Sequence, residues 1–283
     1  MNTATTQQTK TTNYAYRYEH PQLYPYVLND MFISKNELGP GDKVKPFDLP
    51  TTDGGHVRSA DLKAKEQPVL LVFGSLTCPI TEGGSEGLKQ LHAMYGKQVR
   101  FVMIKVREAH PGESIGQAQT FEDKLSQARN LKSHHNLPFE VAIDDIDGTF
   151  HRSLDSRPNS AYVIDPSGTI LFHAQWANET QAIGEALDAI VVGKNPPAPF
   201  VSRTMHSIAQ ALGYAGPVHT AAGKGALLDT WKVVPPLGVM MLLTDLFFFL
   251  PRNKRGLPAM ILTMGLMTAV MAGLVFLIAR FAF

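Results

Sequence analysis

The chain has 283 residues, 44% of them apolar, and its 26 basic and 25 acidic residues leave a net charge of +1. A balance this near neutral, with no basic tract, excludes an electrostatic nucleic-acid binder and gives no nucleic-acid partner. The single cysteine, Cys78, excludes an internal disulfide, and with it the disulfide-rich extracellular class and any two-thiol CxxC mechanism.

Residues 1–12 are rich in Thr and Gln and read as a solvated tail with no apolar run for a signal peptide. Asn13 to Met31, with several tyrosines and two prolines, suit an arm packed on a domain. From Gly39, Pro and Gly punctuation around Asp53-Gly54-Gly55 predicts a hairpin of two short strands. Val69 to Phe73 is a short Val/Leu-rich run, as in a strand buried on both faces, and Thr81 to Met94 carries Leu88, Leu91 and Met94 at helical spacing. Val99 to Val106 is a second apolar strand, Gln117 to His135 a polar helix, and Val141 to Ile143 a third strand. Ala161 to Ile164 and Thr169 to Phe172 flank the turn Asp165-Pro166-Ser167-Gly168, and Glu179 to Val192 closes the domain as an amphipathic helix. The pattern predicts an α/β fold, a mixed sheet with helices on both faces.

Asn195 to Pro199 marks a linker, followed by a short amphipathic helix over Ser202 to Leu212 and a Gly/Ala/Pro stretch to Lys224. Val233 to Leu250 and Leu257 to Ala279 are apolar, the latter without a charge, and the basic turn Pro251 to Gly256 between them predicts a two-span transmembrane hairpin. Gly265, Ala269 and Gly273 would give the second span a smooth face for the first. The basic turn favours a cytoplasmic loop, which by itself would put the thiol domain outside. The absence of a leader favours a cytoplasmic thiol domain, and that side is the one expected here. The resulting division is a tail and arm at 1–38, a redox domain at 39–193, a linker at 194–232 and a membrane hairpin at 233–283.

Cys78 sits where a buried strand becomes a helix, with Pro79 at the first helical position. There the helix dipole and unpaired N–H groups favour a thiolate. A lone cysteine is otherwise a small core residue, but one placed before Pro at a helix entrance is set for reaction. Two consecutive parallel strands end on one rim of a sheet, so Cys78 and His110 are brought to the same edge. An imidazole there can hold the thiolate or pass a proton, with Glu108 to orient the ring and Ser75 and Thr77 to donate to the sulfur. The duller readings are a solvated loop histidine and a solvated strand-end charge. His134 and His135 are expected to cap a helix end, and His56, His92, His151 and His173 show no ligand spacing, so no metal site is expected.

The run LLVFGSLTCPI, followed by Glu108-Ala109-His110 and then Phe121-Glu122-Asp123-Lys124, resembles the iodothyronine deiodinases within the thioredoxin-like (redoxin) superfamily. The resemblance implies a thioredoxin-like domain over about residues 39–193, a nucleophile at Cys78 and reductive dehalogenation. It also implies that Pro158 stands near the fold's usual cis-proline. The family's second histidine, three residues before its Leu-x-Asp-Arg pattern, is Ala118 here. No bound cofactor is expected. With no second thiol in the chain, the reductant must be external, glutathione or a thioredoxin, beside a small-molecule substrate and the lipid bilayer. An oligomer is compatible with all of this. Two alternatives stand beside dehalogenation: a one-cysteine thiol peroxidase, with Ser75 at the hydroxyl position but Leu71 where peroxiredoxins have proline, and a non-catalytic binding module on a membrane anchor.

Overall fold

The computed structural model describes residues 16–17, 37–154, 157–197 and 204–281. The expected solvated tail lies outside the described residues, as does the arm apart from Tyr16 and Arg17. The Asp53-Gly54-Gly55 turn joins β1 (Asp48–Pro50) to β2 (His56–Arg58), and α1 (Ser59–Lys65) follows directly.

A five-stranded sheet is built on β3 (Val69–Gly74), whose residues are all buried. β3 pairs in parallel with β4 (Arg100–Lys105), which pairs in parallel with β5 (Glu140–Ile143). On its other side β3 pairs antiparallel with β6 (Ala161–Ile164), which pairs antiparallel with β7 (Ile170–Ala174). The strand order is therefore β5-β4-β3-β6-β7, the expected mixed sheet. Its register fixes the rim. Gly74 stands opposite Lys105 and Val72 opposite Ala161, so the loops leaving β3 and β4 and the loop entering β6 meet at one edge.

Alternation along β3 divides its side chains between two cores. Leu70 and Val72 face α2 (Pro79–Tyr95), α3 (Phe121–His134) and α5 (Thr180–Val191) through Leu88, Leu91, Leu131, Ile183 and Leu187. Leu71 and Phe73 face Val57, Leu62, Phe150 and Leu154 on the other side. Each such buried side chain contributes roughly 2 kcal/mol from water exclusion. Phe150 and Leu154 belong to α4 (Thr149–Leu154), a two-turn helix whose length is too short for a periodic signal in the sequence.

The C-terminal segment departs from expectation. The short helix expected over 202–212 continues as α6 (Thr204–Ala222) through Pro217, and α7 (Lys224–Val233) follows after Gly223. α6 packs on α2 and on α9 (Arg252–Phe281), and those contacts hold as helix a stretch whose Gly and Pro read as loop. The expected first span is instead α8 (Pro235–Leu243) and a 3-10 turn over Thr244–Phe247, 13 residues that rise roughly 20 Å against a hydrocarbon core of about 30 Å. Only α9, over Arg252–Arg280, is long and apolar enough among the described residues to cross a membrane, so the first of the two expected spans has no helix of spanning length behind it. Its first turns bury Ala259, Met260 and Thr263, while the apolar side chains from Met264 onward stand exposed. The Gly265 and Gly273 face meets nothing. Close approach occurs earlier: a Cβ at Gly213 would strike the Arg252 carbonyl, and one at Gly256 the Ala209 carbonyl.

Candidate functional site

β3 ends at Gly74, the chain turns through Ser75 to Thr77, and Cys78 becomes the N-cap of α2 with Pro79 next. The Cys78 N–H donates to the Ser75 carbonyl (3.4 Å), and its own carbonyl accepts the first helical bond from Glu82 (3.0 Å). The sulfur is 1% exposed. It accepts from Asn159 Nδ2 at 3.6 Å and from the backbone N–H groups of Ile80 and Thr81 and the Thr81 side chain. Burial nevertheless pushes the thiol above its ordinary range, because removing the thiolate from water outweighs these donors. The expectation that the helix entrance favours a thiolate is thereby corrected: burial outweighs it, and the resting group is a thiol.

Ser75 and Thr77 do not serve the sulfur as expected. Ser75 Oγ accepts from the Ala109 N–H (3.3 Å), and the Ser75 N–H donates to Thr81 Oγ1 (3.3 Å). Thr77 Oγ1 accepts from the His110 N–H (3.0 Å) and donates to Glu108 Oε2 (2.6 Å). Glu108, fully buried, also accepts from the Thr77 N–H (2.9 Å) and from Lys105 Nζ (2.6 Å), an ammonium only 1% exposed. Glu108 therefore does not orient the His110 ring. Its carboxylate clamps the turn before Cys78 to the end of β4, and Gln117 holds its backbone from both sides (2.8 and 2.9 Å).

His110 does reach Cys78's surroundings. Both line a cavity of about 130 Å³, with Pro158 and Asn159 from the loop before β6, Trp176, and Ile208, Leu212 and His219 from α6. Pro158 thus lines the same space as Cys78. His110 is pushed down to about 4, first by burial and then by the Arg107 charge, so it is neutral at pH 7. Its Nδ1 has no hydrogen-bond partner among the described residues.

Sequence reasoning missed Thr81 and Asn159, the sulfur's donors, and His219, whose ring lies 4.3 Å from that of His110. His219 is also held well below its ordinary range, by burial and by His110. Ala118, at the position of the resembled family's second histidine, is buried, and its carbonyl accepts from Arg17 (2.6 Å). The Phe121-Glu122-Asp123-Lys124 run serves the fold: Asp123 closes a capping box with Thr120 at the start of α3, and buried Lys124 donates to the Asp145 carbonyl (2.6 Å). His134 does not cap a carbonyl as expected. Its Nε2 meets Glu82 Oε2 at 2.9 Å, with His135 Nε2 at 3.9 Å, so these three groups could together hold a cation.

The AhpC/TSA family matches residues 40–173. Over 132 residues, 42% of this chain and 47% of the other, the sequence is 27% identical to a type II iodothyronine deiodinase of Fundulus heteroclitus. It is likewise 27% identical to a thyroxine 5-deiodinase of Sus scrofa over 153 residues, 50% of this chain and 48% of the other. The matched stretch spans about half the length of these relatives. Among solved structures, an uncharacterized conserved protein from Geobacillus kaustophilus aligns at a TM-score of 0.46 and 23% identity, covering 57% of this chain and 87% of that one. With its sheet order, rim and buried cysteine, the stretch matched by the AhpC/TSA family resembles a redoxin domain of thioredoxin-like fold and is similar in sequence to the iodothyronine deiodinases.

Proposed function

We propose that the chain is a membrane-anchored thiol oxidoreductase that dehalogenates a small aromatic ring, with Cys78 as nucleophile and an external thiol as reductant. The observation that carries this reading is the cavity shared by Cys78 and His110. Its volume of about 130 Å³ is near the roughly 150 Å³ of an engineered apolar cavity that takes up benzene. No Asp, Glu, Lys or Arg among the described residues lines it. Such a space favours an uncharged ring over a hydrated ion.

The chemistry begins from a neutral pair. Cys78 gives its proton to His110 as the sulfur attacks the halogen, forming an S–X bond while the C–X electron pair stays on carbon. That carbon takes the proton back from His110, so the ring leaves reduced and Cys78 is left as a sulfenyl halide. One external thiol displaces halide, giving a mixed disulfide, halide ion and a proton. A second releases Cys78 as a thiol and the reductant as its disulfide. Asn159 Nδ2 and the N–H groups of Ile80 and Thr81 are placed to share the charge that grows on sulfur. Glu108, through Thr77, fixes the turn that presents it. Exposed apolar residues of α9 from Met264 on support anchoring in a bilayer.

The AhpC/TSA match favours a second reading, a one-cysteine thiol peroxidase, in which a peroxide oxygen takes the halogen's place and Cys78 becomes a sulfenic acid. Purified full-length protein with dithiothreitol and either an iodinated phenol or hydrogen peroxide separates the two. Iodide release that disappears in Cys78→Ser is the expected result. Peroxide turnover without iodide moves the function to the peroxidase. Neither activity, together with an unmodified intact mass, leaves a binding module.

A further inference from the structure

Three residues that line the cavity carry a buried polar atom with no hydrogen-bond partner among the described residues, His110 Nδ1, Asn159 Oδ1 and His219 Nε2, and a purely apolar ligand leaves all three unused. His219, fully buried on α6, bonds through Nδ1 to Thr230 Oγ1 at 3.0 Å. Thr230 spends its one hydroxyl proton on the Ala226 carbonyl, at 3.0 Å. The threonine oxygen therefore accepts, His219 Nδ1 carries the proton, and Nε2 is left as a bare lone pair. Nε2 lies on the ring edge away from Thr230, which does not line the cavity, whereas His219 does. It has no hydrogen-bond partner among the described residues. A buried acceptor without a donor costs free energy, so a ligand that supplies a donor here gains by it.

We propose that the cavity selects an apolar ring bearing one hydrogen-bond donor, and that His219 Nε2 is the acceptor that reads it. The volume sets one ring, and the lone pair calls for an O–H or N–H on the side that meets His219. The recognising group comes from α6, outside residues 40–173, so the C-terminal helical segment completes the redoxin domain's site. This rests on the reading of the Cys78 cavity as a ligand site, but it concerns binding, not turnover.

Its test uses full-length Cys78→Ser protein and two probes of one shape, 4-fluorophenol and 4-fluoroanisole, titrated by fluorine NMR. The phenol donates and the ether does not. The parent binds the phenol about tenfold more tightly, the preference disappears in His219→Phe, and it survives in His219→Gln, whose amide oxygen replaces the Nε2 acceptor. Equal affinity for the two probes, no binding of either, or a preference unchanged in His219→Phe overturns the proposal. Should His219→Phe fail to fold, the parent's preference and its retention in His219→Gln still decide it. A preference found where no iodide is released would remove the dehalogenation and leave this recognition standing.

Discussion

At Cys78 two effects oppose each other: near-complete burial, the larger, favours the thiol, and donors from Asn159, Thr81 and the first turn of α2 favour the thiolate. Because burial prevails, iodoacetamide alkylation of the ligand-free protein should turn on above the pH of about 8.5 typical of free cysteine. A midpoint below that value would show the helix entrance winning instead. His110 behaves inversely. Its folded value of about 4 lies below the ordinary 6.5, so its contribution to stability is whole above pH 6.5 and is lost as pH falls through 4. Denaturant midpoints measured from pH 7 to 4 should therefore drop, by up to about 3 kcal/mol for this residue, and His110→Asn should flatten that slope. Cys78 and His110 were legible in the sequence because a strand end and a helix entrance fix where such residues point. Asn159 and His219 were not, since nothing local marks a residue 81 or more positions away as facing the same space.

At the scale of elements, the clamp and the helix crossing carry the strongest consequences. Glu108 and Lys105 are both buried, and removing one leaves the other's charge unpaired. Glu108→Ala should lower unfolding free energy by about 3–5 kcal/mol, while the double change Lys105→Met with Glu108→Leu should cost less than Glu108→Ala alone. Gly213 and Gly256 let α6 and α9 touch backbone to backbone, so Gly256→Ala should force them apart and lower thermal stability, whereas Gly265→Ala, in open space, should not. The small-residue stripe read from the sequence thus lay on the correct helix but on turns that meet no partner. β3, β4, β5 and α2 were readable because apolar runs and helical spacing agreed with burial. α6 was not, because Gly213, Gly216 and Pro217 oppose helix locally and only packing on α2 and α9 outweighs them.

For the molecule as a whole, α6 packs both on α2 of the α/β domain and on α9, the one helix among the described residues long enough to span a bilayer. Truncation after residue 263 should abolish co-flotation with liposomes, which the full chain should show. Persistence of flotation would mean that Phe248, Phe249 and the rest of the short apolar segment suffice to hold it. One face of α6 supplies Ile208, Leu212 and His219 to the cavity, while Ala209 and Gly213 of the same helix seat α9. The chamber beside the thiol and the bracket for the spanning helix are consequently two sides of a single rod. Gly256→Ala, which moves α9 against that rod, should therefore also alter how tightly a guest molecule is held in the chamber, read by the same fluorine NMR titration.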